Sequence, residues 1–118
     1  MIRSYEDIEA YRRAYMSSLE IHKLSLTFPT HEMRELGGQI RRSTKSIPMN
    51  IAEGYGKRVS AAEFKRFLLI AVGSCDEVRV QLDYCKDLDY ISTEQHKALK
   101  EEYNEIGKML NGLYKNWK

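Results

Sequence analysis

Apolar residues recur at intervals of three and four in four separate blocks of this chain. Such spacing lines up the apolar side chains along one side of an α-helix, and no stretch shows the alternation typical of a β-strand. Each block begins with a residue that commonly caps a helix, at Ser4, Thr30, Ser60 and Ser92. The sequence therefore predicts an all-α fold. Short connections between the blocks favour antiparallel neighbours. We expect an antiparallel up-and-down four-helix bundle in one domain, residues 1–118, with helices at about 5–27, 31–54, 61–88 and 93–116.

Pro48 falls inside the second predicted helix. A proline in a helix interior removes one N–H donor and crowds the preceding turn. The apolar phase nevertheless runs without a break from Ile40 through Ile47 to Ile51. We therefore expect a helix that is kinked at Pro48 and does not stop there.

Composition limits the class of protein. The chain has 118 residues, 31% charged and 42% hydrophobic, which suits a soluble helical domain. Cys75 and Cys85 lie ten residues apart on one predicted helix, about 15 Å, too far for a disulfide. Two free thiols predict a cytoplasmic location. The longest strongly apolar stretch, Phe67–Val72, is too short to span a membrane.

That same stretch is apolar around the whole helix. A helix in a monomeric bundle needs one buried face, so a second apolar face indicates a second contact. The alternative is a helix that simply lies deeper in the core. We favour self-association, and the predicted interface residues are Phe67, Leu68, Leu69, Ile70 and Val72.

Sequence patterns of catalysis and metal binding are incomplete. His31-Glu32 begins like a zinc-protease helix but lacks the second histidine. Gly54-x-Gly56-Lys57 lacks the spacing of a phosphate-binding loop and is better explained as a helix end. The two cysteines lie on the apolar side of their helix, where thiols act as small hydrophobes. We expect no catalytic residue, metal, cofactor or small-molecule substrate.

Polar residues form a row on the second predicted helix beside its apolar stripe, and the third helix has a similar row. The structural interpretation is a hydrogen-bonded network between helices that fixes their register around the kink. The functional interpretation is a site for a ligand or partner. We favour the structural one, with Gln39, Arg42, Ser46, Asn50, Glu53 and Glu77 as its members.

Charge is unevenly distributed along the chain. Eight basic and three acidic residues between Arg34 and Arg66 give a local charge of +5, whereas the whole chain carries only +2. Such a cluster can contact phosphates without reading sequence, although it can also be an ordinary solvated surface. The predicted nucleic-acid-binding residues are Arg41, Arg42, Lys45, Lys57, Arg58, Lys65 and Arg66.

Several motifs resemble those of a known family. The segment Leu36-x-x-Gln39-Ile40-Arg41-Arg42 precedes Ser46-Ile47-Pro48-Met49-Asn50-Ile51-Ala52-Glu53-Gly54, and Gly73-Ser74-x-x-Glu77 follows. Together these motifs resemble the four-helix-bundle proteins encoded in 23S rRNA intervening sequences, which are similar to accessory proteins of diversity-generating retroelements. Gly37 and Gly38 depart from the family pattern, which more usually has polar residues at these two positions.

The resemblance implies a homopentameric ring with basic surface available to nucleic acid. In the retroelement relatives, the ring works with a reverse transcriptase and RNA. From the sequence we therefore expect a non-enzymatic homo-oligomer that binds RNA or DNA through its basic patch. The alternative is a protein–protein interaction adaptor in which the basic residues only solvate the surface.

Overall fold

The chain forms four long helices and one short helix in a computed structural model that describes residues 1–118. There is no strand, so the predicted all-α class is confirmed. After a 3-10 turn at Tyr5–Asp7 come α1 (Glu9–Ser25), α2 (Thr30–Arg34), α3 (Leu36–Gly56), α4 (Ala61–Asp87) and α5 (Thr93–Asn116).

The four long helices pack as a bundle of 45 × 23 × 19 Å. Helix α3 packs against α1 and α4, and α5 packs against the same two helices. Helices α1 and α4 are therefore diagonal to each other. Consequently the outward faces of α1 and α4 lie on opposite sides of the molecule.

Apolar residues from all four long helices meet along the bundle axis. Ile47 and Ile51 of α3 and Phe64 of α4 are fully buried there, as is Ile106 of α5. At one end Trp117 packs edge-on against Phe64, with ring centroids 4.6 Å apart. None of the helices combines the length and apolar character that crossing a membrane requires.

Of the four predicted caps, Ser60 and Ser92 cap α4 and α5, whereas Ser4 and Thr30 do not cap the helices expected of them. Ser4 and Asp7 form a complete capping box, but this box caps the 3-10 turn, and α1 begins only at Glu9. At the start of α4, Ser60 Oγ accepts from the Glu63 N–H at 3.1 Å. Ser92 forms a complete box with the third residue of α5.

The second predicted helix is divided in two. Glu35, with φ −77° and ψ −91°, separates α2 from α3, and Thr30 is the first residue of α2 with no side-chain cap before it. A side chain from the next helix supports the break, because the Arg41 Nη2 donates to the Met33 carbonyl at 2.9 Å and so satisfies a carbonyl near the end of α2. A β-carbon at Gly37 would lie 3.1 Å from Arg41 Nη1, so this glycine leaves room for the guanidinium.

Helix α3 continues through Pro48, as the apolar phase predicted. Because proline has no N–H, the Thr44 carbonyl loses its usual helical donor. Pro48 itself is buried against α1 and the 3-10 turn. The result is a four-helix bundle with one bent helix.

Candidate nucleic-acid interface

The predicted basic residues fall into two groups on the surface. Arg41, Arg42 and Lys45 lie in the first half of α3. The others, Lys57, Arg58, Lys65 and Arg66, lie around the α3–α4 connection. Twelve residues of helix separate Lys45 from Lys57, which is about 18 Å. The structure thus has two basic surfaces in place of one continuous patch.

In the first group, Arg41 is largely occupied within the chain. Its Nη1 donates to Ser25 Oγ at 2.8 Å, and its Nη2 donates to the Met33 carbonyl. The side chain is half-buried and links α3 to the ends of α1 and α2. Arg41 therefore contributes mainly its positive charge to this surface, because both of its terminal nitrogens already donate hydrogen bonds within the chain.

Lys45 lies at the junction of α1 and α3. Its Nζ is 2.9 Å from Nδ1 of His22 on α1. The positive charge of Lys45, followed by partial burial and the charge of Arg41, lowers the pKa of His22. A lowered histidine pKa is what a local excess of positive charge produces. This edge of the bundle therefore carries a positive potential that no carboxylate cancels.

Arg42 projects from the opposite flank of α3, toward α4. It lines a shallow, wholly polar groove with Gln39, Ser43, Ser46 and Glu77. Although Glu77 is in the same groove, it accepts a hydrogen bond from Ser43 Oγ at 3.0 Å and forms no ion pair with Arg42. The Arg42 guanidinium is exposed and free to bind an anion.

The second group packs on aromatic rings. The Arg58 guanidinium lies 4.1 Å from the Tyr55 ring centroid, and that of Arg66 lies 4.6 Å from the Phe67 centroid. Lys57 lies over the same Phe67 ring at a distance of 5.8 Å. Such contacts hold the apolar stems and leave the charged groups at the surface.

Lys65, in the same group, lies 5.4 Å from the ring centroid of Tyr114 on α5. Arg66 alone among the seven predicted residues has a carboxylate within ion-pair distance, since its Nε lies 3.1 Å from Glu63 Oε2. This pair raises the pKa of Arg66, chiefly through the hydrogen bond to Glu63. The other six cations have no carboxylate partner, and the ion pairs of the chain are concentrated elsewhere.

Helices α3 and α4 are joined by a polar network that differs from the expected one. Ser46 Oγ lies 2.7 Å from Ser74 Oγ, and Asn50 Nδ2 donates to the Ser46 carbonyl at 2.8 Å. Buried Gln81 donates to Ser43 Oγ at 3.0 Å, and Ser43 in turn donates to Glu77.

Three residues expected in this network make no side-chain hydrogen bond, namely Gln39, Arg42 and Glu53. All three are exposed. The spacing placed Gln81 in the polar row of the third predicted helix but not among the members of the network, and it did not identify Ser43, which connects the two helices. The position of Ser43 beside the apolar stripe of α3 is the signal that points to it.

The predicted self-association residues divide between core and surface. Phe67 and Leu68 are 6% and 0% exposed, so they belong to the core of their own chain and cannot form an interface. Val72 is half-buried and packs on the core. Leu69 and Ile70 are exposed. With three further residues they form what we call the α4 stripe: Leu69, Ile70, Val80, Tyr84 and Leu88.

The buried thiols have the character of core residues. Burial raises the pKa of Cys75 to about 12 and that of Cys85 to about 11. A thiol must ionise to act as a nucleophile, so both are unreactive at neutral pH. No three His, Cys, Asp or Glu side chains come together as a metal site.

Comparisons with known proteins agree with this architecture. The sequence matches the profile of the 23S rRNA-intervening sequence protein over residues 6–112. A protein of unknown function from the S23 ribosomal protein family of Bacteroides thetaiotaomicron has a similar structure, with a TM-score of 0.81 and 28% sequence identity. The likeness covers 91% of this chain and 96% of that chain. No curated protein matches the sequence.

Proposed function

The chain belongs to the 23S rRNA-intervening sequence protein family, as its motifs indicated, and from that premise we propose that it is a non-catalytic, self-associating scaffold that binds nucleic acid. The cations of α3 and of the α3–α4 connection are the proposed contacts with phosphate. The proposed assembly is a homo-oligomer, with the pentamer that the resemblance implies as its expected size.

One observation carries the nucleic-acid proposal. Six of the seven predicted cations lack a carboxylate partner, although the chain contains 17 acidic residues. Of the other twelve Lys and Arg side chains, four are paired with carboxylates, namely Arg13, Arg79, Lys100 and Lys108. Groups of unpaired cations favour polyanions, because binding releases the counterions condensed on the phosphates. The lowered pKa of His22 supports the same conclusion.

Self-association would strengthen this binding. One copy offers only a few phosphate contacts, and each exposed contact is weak at physiological salt. Copies held in one assembly present the same cations repeatedly, so a single nucleic-acid strand binds several of them at a high effective concentration. Assembly through the α4 stripe would leave the α1–α3 edge free, because α1 and α4 are diagonal in the bundle.

The test is binding of labelled 20-nucleotide RNA and DNA across a salt series. We expect affinity to fall with salt, and the Arg42→Glu/Lys45→Glu double variant to weaken binding and flatten the salt dependence. The slope should fall by about 0.7 for each phosphate of a single strand that the variant no longer neutralises. The matched control is Lys97→Glu/Lys115→Glu, which changes net charge equally at two exposed lysines of α5. Equal effects of the two double variants, or affinity that does not respond to salt, would contradict the proposal.

A second candidate is a protein–protein adaptor without direct nucleic-acid binding. The exposed apolar α4 stripe favours it, because a partner protein could cover the same surface that a second copy would cover. Pull-down from nuclease-treated and untreated lysates separates the two functions. A partner protein retained after nuclease treatment supports the adaptor, and loss of all captured material after nuclease supports nucleic-acid binding.

A further inference from the structure

A groove lined by three tyrosines lies where α1, α3 and the N-terminal 3-10 turn meet. Its volume is about 290 Å³. The rings of Tyr5 and Tyr11 meet edge to face at a centroid distance of 4.9 Å, and the rings of Tyr11 and Tyr15 are stacked at 6.1 Å. Pro48 and Met49 of α3 form the facing wall. We call this site the tyrosine groove.

The row of rings follows from local structure. Tyr11 and Tyr15 are four residues apart on α1, so their side chains are neighbours on one helix face. The capping box of Ser4 and Asp7 closes the 3-10 turn, which brings Tyr5 back onto the edge of Tyr11. The groove is thus formed by regular, well-ordered elements.

Much of the aromatic and apolar surface of the groove is open to solvent. Tyr15 is 47% exposed, Tyr5 is 37% exposed and Met49 is 61% exposed. Tyrosines on a surface often anchor their hydroxyls by hydrogen bonds, yet none of the three hydroxyls has a partner within the chain. Flat rings and free hydroxyls are therefore available to a ligand.

The charges around the groove are unequal at its two ends. Lys45 lines one end and lies 2.9 Å from His22, with Arg41 nearby. At the other end, near Tyr5, the carboxylate of Glu6 lies close enough for its charge to help raise the pKa of Tyr11, after burial and the two neighbouring tyrosines. An anion is therefore favoured at the Lys45 end of the groove, which Tyr15 also lines.

We propose that the tyrosine groove stacks unpaired bases of single-stranded nucleic acid, with Lys45 contacting the adjacent phosphate. This inference rests on the proposed nucleic-acid binding and adds the form of nucleic acid that is bound. Aromatic rings beside a basic edge are the combination that binds single strands without sequence preference. A duplex gains nothing from the rings, because its bases are already stacked on each other.

A second copy of the chain that docked by two-fold symmetry would fit this groove poorly, because the same surface would face itself and bring the Lys45 and His22 edges together. In a ring, a different surface of the neighbouring copy would meet the groove and would have to accommodate the positive charge beside it. The α4 stripe lies on a helix that carries charges of both signs, and its exposed apolar side chains make it a suitable surface for protein.

The experiment compares a labelled 20-nucleotide single strand with a hairpin duplex of the same composition. Wild type should bind the single strand more tightly. Tyr15→Ala should weaken single-strand binding by about 5- to 150-fold, the range for removing one stacked base, and leave duplex binding unchanged. Tyr15→Phe should keep most of the affinity. Met16→Ala is the matched control and should bind as wild type, because Met16 is 64% exposed on the same helix but lies outside both the groove and the α4 stripe.

A direct readout of stacking is photocrosslinking of a bromouracil-containing strand, mapped by mass spectrometry. Crosslinks at Tyr15 support the proposal. If the single strand binds with normal salt dependence but Tyr15→Ala has no effect, the stacking site is overturned and nucleic-acid binding stands. If neither strand nor duplex binds, both proposals fail. If light scattering shows that Tyr15→Ala dissociates the oligomer and Met16→Ala does not, the groove is an interface between copies.

Discussion

At the scale of single residues, Gly54 determines how closely α3 approaches α4. A β-carbon at this position would lie 2.5 Å from Phe67 Cβ and 3.1 Å from Phe64 Cδ1. The Phe67 Cβ is fixed to the backbone of α4, so it cannot move aside without moving that helix. Gly54 is thus required by packing, although the sequence suggested only that it helps to end a helix.

We therefore predict that Gly54→Ala lowers the free energy of unfolding by about 1–3 kcal/mol, the usual cost of overpacking a core. Chemical denaturation followed by circular dichroism measures the change. Gly56→Ala is the matched control, because a β-carbon at Gly56 meets nothing within 4 Å. Its stability should equal or slightly exceed that of wild type, since alanine favours helix more than glycine does. Equal stability of the two variants would show that the contact is relieved easily.

At the scale of elements, Asp83 joins α4 to α5. Its Oδ1 lies 2.7 Å from His96 Nε2 and 2.7 Å from Lys100 Nζ. The hydrogen bond from Lys100, and then that from His96, lowers the pKa of Asp83. A lowered carboxyl pKa means that the folded state prefers the ionised form. The stabilisation is present above the unfolded pKa of 3.8 and is lost as pH falls below it.

We expect Asp83→Asn to cost about 0.5–1 kcal/mol at pH 7, because the carboxylate is 42% exposed and solvent screens the pairs. The difference from wild type should shrink as pH falls below about 4, where Asp83 of the unfolded chain takes up a proton, and should vanish below the lowered pKa of the folded state. Thermal unfolding between pH 3 and 7 checks both statements. Asp76→Asn is the control, since Asp76 is 68% exposed and pairs only with Arg79 on its own helix. A pH-independent loss in Asp83→Asn would exclude the ion pairs as its cause.

At the scale of the whole molecule, the two sides of the bundle differ in character. The α1–α3 side carries the tyrosine groove and unpaired cations, and the α4 stripe on the diagonal helix carries exposed apolar residues. Apolar side chains that are 41–59% exposed along one helix form the kind of surface that another protein covers. The proposed contacts at the α1–α3 edge, Lys45 and the tyrosine groove, would therefore stay open if the α4 stripe were covered, whereas Arg42 lies in the groove between α3 and α4.

This arrangement predicts that wild type assembles and that Val80→Glu dissociates it. Val80 lies within the α4 stripe and is 54% exposed, so the substitution places a charge in the interface without disturbing the core. Light scattering should give five times the 13.8 kDa chain mass for wild type and a lower mass for the variant. Val59→Glu, in the α3–α4 connection and fully exposed, should assemble as wild type does. A monomeric wild type at micromolar concentration would contradict the prediction.

The fold could be predicted from the sequence because a helix repeats every 3.6 residues. Ile40, Ile47 and Ile51 all came from that periodicity, and all three are buried. Caps such as Ser92 are equally local, since the cap and its partner lie three residues apart. Features that depend only on residues close together in the sequence can therefore be predicted from the sequence.

Tertiary structure decided what depends on contacts between distant residues. Periodicity gives the direction in which Phe67 and Leu68 point but not how completely other helices cover them, so both were predicted at an interface between copies although they are buried within their own chain. The break at Glu35 depends on Arg41 reaching back to Met33, a contact that no local preference specifies. By itself, the sequence determined an all-helical bundle with a basic segment and a family. Only packing decided that the cations form two surfaces, one of which adjoins the tyrosine groove. Packing also decided that the α4 stripe lies on the opposite side of the bundle from α1. Each of these features depends on which helices are neighbours.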